Sequence, residues 1–332
     1  MNPSFRFASL ALVTLGALIY GCSKPAGEPE ADGGAASSPS GGRRTLVMIP
    51  KTTQSAFWNS VRKGGEQAAQ EFDVELLWKG PSGENDRAGQ KQVTQQFTND
   101  AIAGILLAPT DSRALAAEVR SAAAKGIPVL IFDSAVEGEV GKDFISFVAS
   151  DNTIAGKMGG KHLMELVGKG GKTICFRHME GHESTTKRED GAVAEMEAAG
   201  AEILLKDRYT GASQGEAQTT ALNLIDVIRE ADGIFTSNQT ATEGVLQALR
   251  KTNLAGKVKF VGFDSSPQLV EGLRNGEIDA LVVQDPVKMG YTSVKLMLEH
   301  LDGKTIEPLV VTDVQIATKA NMDDPKIKAL LE

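Results

Sequence analysis

The sequence is poor in aromatic residues, histidine and cysteine, and it carries no excess of positive charge. Of its 332 residues only 5% are aromatic, four are histidine and two are cysteine. With 35 Lys and Arg against 43 Asp and Glu, the net charge is −8, which excludes a nucleic-acid-binding footprint. Four histidines and the lack of a Gly-x-Ser-x-Gly motif leave no persuasive nucleophile and base pair. We therefore expect no enzyme activity, no cofactor and no metal.

A long hydrophobic run is also missing, and the apolar stretch near the start is short. Arg6 precedes an apolar run over residues 7–19, which is too short to span a membrane comfortably. This pattern predicts a signal peptide over residues 1–21. The stretch that ends in Tyr20-Gly21-Cys22 resembles a bacterial lipobox, which implies that Cys22 is lipidated after cleavage. The alternative is ordinary signal cleavage nearby, with Cys22 free or removed.

The next segment has the composition of a linker. Residues 23–44 contain Pro, Gly, Ser, Ala and charged residues without an apolar period. Such a chain predicts a flexible tether, disordered over residues 22–44, that spans roughly 25 Å as a random coil. A tether of that reach would let a folded body clear a membrane surface.

From residue 45 onward, short apolar runs alternate with helical periods. Alternation of this kind predicts βαβ units with parallel sheets, and two successive series predict two doubly wound α/β domains. Cys175 falls in one apolar run, which predicts a buried, inert thiol in a strand. The predicted strands are 46–49, 74–78, 104–108, 129–132, 145–149, 173–176, 201–206, 233–236, 258–263 and 280–283. The predicted helices are 57–72, 86–98, 112–125, 153–167, 185–199, 215–229, 241–251 and 267–275.

Two adjacent aromatic residues begin the first helix. Ser55 is the predicted cap, and Phe57 and Trp58 fall in the first turn, just after a buried strand. Neighbours in a helix point about 100° apart, so one core face does not easily take both rings. A ligand-binding role competes here with packing, in which one ring staples the helix start and the other is core.

Two strands end in the same pair, Phe-Asp. Asp133 closes one and Asp264 the other, so each domain places a carboxylate at a strand end, where open α/β sheets bind ligands. Ser266 followed by Pro267 already supplies a helix cap, which frees Asp264 for binding. Residues 240–243 form a predicted capping box, so Asn238 is not needed as a cap and is available for binding. For Asp133 the alternative to binding is a hydrogen bond within its loop.

Two further motifs fail as sites. The stretch 168–173, GKGGKT, has the wrong spacing for a phosphate-binding loop and precedes a strand, so it predicts a turn. His178 and His182 are four residues apart, but Gly181 and the loop setting do not suit a helical zinc site. For this loop we expect a solvated or cleft-lining role.

Taken together, the sequence resembles the ribose-type periplasmic sugar-binding proteins of ABC transporters, over about residues 45–320. Their fold is the periplasmic binding protein type 1 fold, shared with the ligand domains of lactose-repressor-like regulators. The resemblance rests on the two halves, the aromatic pair and four short motifs. These motifs are PTDS at 109–112, ASDN at 149–152, VGFD at 261–264 and QDP near 284.

The resemblance implies a set of ligand-binding residues. In the family, two aromatic residues clamp the sugar ring, which matches Phe57 and Trp58, and an arginine in the cleft best matches Arg188. The alternative for Arg188 is a solvated charge on a helix, within the sequence KRED. Side chains that would bond sugar hydroxyls match Asp133, Arg188, Asn238, Asp264 and Gln284.

Two positions depart from the ribose-binding pattern. The chain has Ala108 where ribose binders carry Asn before PTDS, and Ser134 where they carry Arg after the first Asp. Both changes remove groups that bond hydroxyls and are expected to enlarge the pocket, which argues against ribose itself.

The resemblance also implies a hinge of three segments between the domains. The crossings are expected near 150–151, 284–285 and 312–313. One lobe would comprise residues 45–150 and 285–312, and the other residues 151–284 and 313–332. Such a hinge restrains twisting and favours opening and closing around a ligand.

The function implied is that of a monomeric, lipid-anchored sugar-binding protein on the periplasmic side of a bacterial cell envelope. It would deliver a pentose, hexose or related polyol to the transmembrane subunits of an ABC permease. The alternative is a binding protein coupled to a chemoreceptor or sensor kinase. A repressor would need a helix-turn-helix before the first strand, where the leader and tether lie.

Overall fold

The computed structural model describes residues 43–100 and 102–332, and the predicted α/β fold is confirmed there. The strands are β1 (Thr45–Ile49), β2 (Glu75–Trp78), β3 (Gly104–Leu107), β4 (Val129–Phe132), β5 (Ser146–Ser150), β6 (Lys172–Arg177), β7 (Glu202–Tyr209), β8 (Gly233–Thr236), β9 (Lys259–Phe263), β10 (Ala280–Gln284), β11 (Leu309–Thr312) and β12 (Val314–Thr318). The helices are α1 (Ala56–Glu71), α2 (Arg87–Asn99), α3 (Ala116–Ala124), α4 (Asn152–Val167), α5 (Glu183–Ala198), α6 (Gln214–Asn223), α7 (Ile225–Glu230), α8 (Gln239–Lys251), α9 (Pro267–Asn275), α10 (Pro286–Leu301) and α11 (Pro325–Leu331).

The strands form two six-stranded sheets with the same winding. The first has the order β11-β5-β4-β3-β1-β2 and is parallel throughout. The second has the order β12-β10-β9-β8-β6-β7, and only β12 runs antiparallel, against β10. In both sheets the strand order reverses once, between β1 and β3 and between β6 and β8. Ligands of doubly wound sheets bind in the crevice at such switch points.

The chain passes between the two sheets at three places. It leaves the first sheet between β5 and α4, returns between β10 and α10, and crosses again between β11 and β12. Two of these connections are tied together, because Ser150 Oγ and Thr312 Oγ1 lie 3.1 Å apart. We call β1–β5, α1–α3, α10 and β11 the first half, and the remaining elements the second half.

Close helix packing fixes the position of α1, which carries the aromatic pair. A Cβ at Gly64 would lie 1.9 Å from the carbonyl oxygen of Val287, and one at Gly290 would lie 2.0 Å from that of Val61. Helices α1 and α10 therefore touch backbone to backbone, and no larger residue fits at either position.

Several predicted boundaries shift in the structure. The helix predicted from 112 begins at Ala116, the one predicted over 215–229 is divided into α6 and α7, and α8 begins at Gln239. Residues between Gly168 and Lys172 form the expected turn. Cys175 is a free, buried thiol in β6, as predicted, and burial raises its pKa.

The predicted leader and lipidated Cys22 lie outside the described residues. Of the predicted tether only Arg43 and Arg44 are described, and Arg44 pairs with Asp302 at 2.6 Å. None of the helices in the described part of the chain is long and apolar enough to cross a bilayer.

Candidate functional site

A small cavity lies where the two halves meet at the carboxyl ends of their strands. Six of the seven predicted ligand-binding residues line it, and the seventh, Gln284, bonds directly to two of the six. The cavity volume is about 30 Å³. The lining residues that the sequence predicted are Phe57, Trp58, Asp133, Arg188, Asn238 and Asp264.

The aromatic pair is both core and cavity wall. Ser55 caps α1 as predicted, by accepting a hydrogen bond from the backbone N–H of Trp58. Phe57 and Trp58 pack edge to face, with ring centroids 5.1 Å apart, and both belong to the first-half core. Trp58 extends that contact to Phe132, at 6.2 Å. The two interpretations from the sequence are thus not exclusive, since the rings pack inward and also face the cavity.

Two charged residues of the first half line the cavity without having been predicted. Lys51 follows β1, and Glu84 lies in the loop between β2 and α2. Glu84 Oε1 accepts a hydrogen bond from Trp58 Nε1 at 2.9 Å, which fixes the indole ring. Lys51 could have been predicted, because it follows a strand at a switch point. No comparable signal in the sequence marks Glu84.

Asp133 is paired with that lysine. Its Oδ2 lies 2.7 Å from Lys51 Nζ, and both side chains are buried. Lys51 Nζ also donates to Ser184 Oγ of the second half at 2.9 Å. Asp133 has φ 63°, a left-handed conformation that is uncommon outside glycine and turns its side chain away from the strand direction. The loop hydrogen bond considered for this residue is therefore replaced by a buried ion pair.

Asp264 occupies the equivalent place in the second half, in a different environment. Its φ is 67°, and its carboxylate accepts from Gln284 Nε2 at 2.7 Å and from the backbone N–H of Gln239 at 3.0 Å. Burial raises the pKa of this carboxyl, and the charge of Arg188 with the two hydrogen bonds offsets that only in part. Ser266 caps α9 as predicted.

Asn238 is itself a helix cap, which corrects the sequence interpretation. Helix α8 begins at Gln239, and Asn238 Oδ1 accepts from the N–H of Ala241 at 3.1 Å. The capping box proposed over residues 240–243 is wrong. Asn238 still lines the cavity, with its amide nitrogen donating to Thr240 Oγ1 at 3.2 Å. A cap places its side chain at the helix start, where the helix already faces the crevice.

Arg188 is buried rather than a solvated helix charge, so that alternative is wrong. Its guanidinium donates to Asn152 Oδ1 at 2.7 Å, to the Ser237 carbonyl at 3.1 Å and to Gln284 Oε1 at 3.0 Å. It also lies 4.1 Å over the ring of Phe263. Three hydrogen bonds and one cation–π contact hold this positive charge in the second-half wall.

The histidine loop before α5 was expected to be solvated or to line the cleft, but both of its histidines are buried and neither lines the cavity. His178 and His182 are fully buried, and their rings meet edge to face at 5.0 Å. His178 Nε2 lies 3.0 Å from Glu84 Oε2, so the loop contacts the opposite half. Burial would raise the pKa of Glu84, but the hydrogen bond from His178 and nearby positive charge lower it well below its usual range.

Neither of the two residues that depart from the ribose pattern, Ala108 and Ser134, lines the cavity. The Ala108 carbonyl accepts from Gln90 Nε2 at 2.7 Å, and Ser134 Oγ accepts from the N–H of Ser184 at 3.1 Å. Lys51 instead supplies a positive charge beside Asp133, from a different strand than the arginine of ribose binders would. The enlarged pocket expected from these two residues stays a prediction.

With this geometry in view, the comparisons with known proteins identify the family. Residues 46–305, most of the chain, match the family model described as periplasmic binding protein domain, and the chain belongs to that family. The ribose-type family predicted from the motifs is confirmed. It is a family of substrate-binding transport proteins and not of enzymes.

Similar proteins span nearly the same length. The D-allose-binding periplasmic protein of Escherichia coli (strain K12) is 28% identical, covering 79% of this chain and 86% of its own. The ribose import binding protein RbsB of the same strain is 26% identical, covering 83% and 90%. A carbohydrate transporter solute binding protein from Agrobacterium radiobacter, solved in complex with D-arabinose, is 31% identical with a TM-score of 0.83, covering 87% of this chain and 99% of its own. An ABC transporter solute binding protein from Agrobacterium vitis, with bound D-fucose, is 29% identical with a TM-score of 0.84, covering 87% and 100%.

Proposed function

We propose that this protein binds a sugar, a pentose, hexose or related polyol, in the cavity between its halves and delivers it to the permease of an ABC transporter. One observation carries the proposal: Asp133 and Asp264, from opposite halves, line one cavity together with an aromatic pair. Similar proteins that are named for D-allose and ribose, or were solved with D-arabinose and D-fucose, support the same ligand class.

The chemistry of the walls suits a neutral, hydroxyl-rich ring. Carboxylates accept hydrogen bonds from hydroxyls, and charge-assisted bonds of this kind are stronger than neutral ones. The C–H face of a sugar packs on an aromatic face, which Phe57 offers at the first-half wall. Lys51 and Arg188 provide hydrogen-bond donors in the same lining; Lys51 already pairs with Asp133, and the charge of Arg188 acts on the nearby Asp264.

Binding would require the halves to separate. Typical ligand pockets enclose about 300–1,000 Å³, an order of magnitude more than the 30 Å³ between these walls. We propose that residues 45–150 with 285–312, and 151–284 with 313–332, act as two lobes that open about the three connections and close on the sugar. The ligand then favours the closed form by its differential affinity.

We further propose that Cys22 carries a lipid that holds a monomer on the periplasmic side of the envelope, next to its permease. The full chain should partition into a detergent phase, and Cys22→Ala should remain in the aqueous phase or unprocessed. A wild-type protein recovered in the aqueous phase, with its mature terminus elsewhere, would rule out the anchor.

The sugar proposal is tested by calorimetry with a panel of D-ribose, D-allose, D-arabinose, D-fucose and related polyols. We expect one or more to bind, and Phe57→Ala to weaken the tightest by about 0.5–1.5 kcal/mol, or roughly two- to tenfold. Phe72→Ala is the matched control, because Phe72 ends the same helix and is exposed. Absence of binding across the panel, or equal loss in both variants, would contradict the proposal.

A further inference from the structure

A second cluster of polar side chains lies beside the cavity and shares only Glu84 with the cavity lining. Glu84 belongs to the first half, and His178 and His182 belong to the loop between β6 and α5 of the second half. All three are buried: the histidines are completely inaccessible, and Glu84 is 7% exposed.

The buried imidazoles are short of partners. Among the described residues, His178 Nδ1 and both ring nitrogens of His182 find no hydrogen-bond partner. A buried polar nitrogen without a partner costs free energy, and such groups in native proteins call for a specific explanation. Sugar binding does not provide one, because neither histidine lines the cavity between the halves.

The three potential ligand atoms are already arranged around one point. Glu84 Oε2 lies 3.0 Å from His178 Nε2 and 3.6 Å from His182 Nδ1, and all three atoms lie within 4.8 Å of one another. Ligands bound tetrahedrally to Zn²⁺ at about 2.0–2.1 Å lie roughly 3.3 Å from each other. The two distances from Glu84 Oε2 lie just below and just above this separation, so small side-chain movements would bring the ligand atoms to it.

The local charge also suits a cation. Glu84 brings a carboxylate to the cluster, and neither ring nitrogen of His182 has a hydrogen-bond partner among the described residues, so a nitrogen lone pair can be offered to a cation. Lys51 places a positive charge near the cluster, and Asp133 pairs with it at 2.7 Å. Arg87 is directed elsewhere, to Asp111 at 3.2 Å.

We propose that Glu84, His178 and His182 form a binding site for one divalent transition-metal ion of the Zn²⁺ class, joining the two halves beside the sugar cavity. Two imidazoles and a carboxylate are ligands that Zn²⁺ accepts with a fourth position left for water. The proposal reverses the expectation drawn from the loop sequence. The spacing of the histidines does not suit a helix, but the site takes its third ligand from the other half of the molecule.

The metal proposal is tested by titrating Zn²⁺ into the full chain after stripping with EDTA, in the absence of sugar. We expect one ion per chain, and His182→Ala to weaken binding at least tenfold. His182 is the best residue to change because removing it leaves no hydrogen-bond partner behind. His162→Ala is the matched control and should bind as wild type, since His162 lies on α4, outside the cluster, and pairs with Glu165 of the same helix at 3.3 Å.

A second measurement separates this site from adventitious binding by surface histidines. Co²⁺ in place of Zn²⁺ should give the intense visible absorption of a tetrahedral ion in wild type and His162→Ala, and not in His182→Ala. Because the ligands come from both halves, Zn²⁺ should also raise the melting temperature of wild type by mass action and not that of His182→Ala. Stoichiometric Zn²⁺ binding that is equal in wild type and His182→Ala, or no binding at all, would overturn the proposal.

Discussion

The two walls of the cavity are built on one plan and differ in how they hold their carboxylates. Asp133 and Asp264 each follow a Phe at a strand end, each has a left-handed backbone, and each donates its N–H to the neighbouring strand, to the carbonyls of Val148 and Val282. Their side chains differ. A lysine balances Asp133 at 2.7 Å, whereas amide groups hold Asp264.

This difference shows that a repeated fold preserves backbone geometry more closely than charge. Both sheets have a residue with left-handed backbone at the strand end, and this conformation turns its side chain into the crevice. The partner of the carboxylate comes from a different element in each half: the loop after β1 for Asp133, and β10 with the start of α8 for Asp264. The two carboxylates therefore depend on different sets of partners.

The largest effect is expected from removing the lysine. Lys51→Ala leaves the Asp133 carboxylate buried without its cation, and we expect the free energy of unfolding to fall by about 3 kcal/mol. Chemical denaturation measures this loss. The double variant Lys51→Ala with Asp133→Asn should recover most of it, because no buried charge remains. A single variant as stable as wild type would mean that the pair is hydrated and contributes little.

A smaller effect is expected in the second wall. Gln284→Ala removes one donor to Asp264 and one acceptor of Arg188, but the Gln239 N–H and the other two acceptors of Arg188 stay in place. We expect a loss of about 1–3 kcal/mol in the free energy of unfolding. Gln284→Glu serves as a comparison, since it keeps the acceptor for Arg188 but places a second carboxylate beside Asp264, and it should be no more stable than the alanine variant at neutral pH. If Gln284→Ala lost more free energy of unfolding than Lys51→Ala, the expected order of the two walls would be contradicted.

The smallest effect is a dependence on pH. The pKa of Asp264 is raised above its usual value of 3.8, so the folded protein favours the protonated carboxyl. That contribution is complete below about pH 4 and is lost as the pH rises through the raised value. The stability of wild type relative to Asp264→Asn should therefore increase as the pH falls from 7 to 4. Titration of the other groups affects both proteins alike and cancels in this comparison. A stability difference between wild type and Asp264→Asn that is constant, or that grows with pH, would contradict the raised pKa.

Much of the fold could be predicted from the sequence because strands in a doubly wound sheet are buried on both faces. Their apolar runs are short and bounded by polar loops, and the strand ends at Phe132 and Phe263 were placed correctly. The helix starts were predicted less accurately than the strand ends. Near the start of α8 the sequence offers two possible caps, Asn238 and the capping box that begins two residues later. Only the packing of α8 on its sheet decides which of the two caps the helix.

The site was predicted in part. Residues at strand ends, such as Asp133 and Asp264, follow from topology, and the resemblance added Arg188 and Gln284. Glu84 and the two histidines could not be predicted, because their proximity depends on how the two halves meet rather than on any local pattern. Partners that come from opposite halves leave no spacing in the sequence to detect.

The central claim, that one ligand joins the two carboxylates and draws the halves together, is tested most directly by solution scattering with and without sugar. We expect wild type to become more compact at saturating concentrations of the tightest sugar of the panel. Asp133→Ala and Asp264→Ala should each lose about 1.5–3 kcal/mol of binding free energy, roughly ten- to a hundredfold in affinity, and remain expanded at that concentration. If only one variant lost compaction and the other kept its affinity, the ligand would sit on one half and the account would be contradicted.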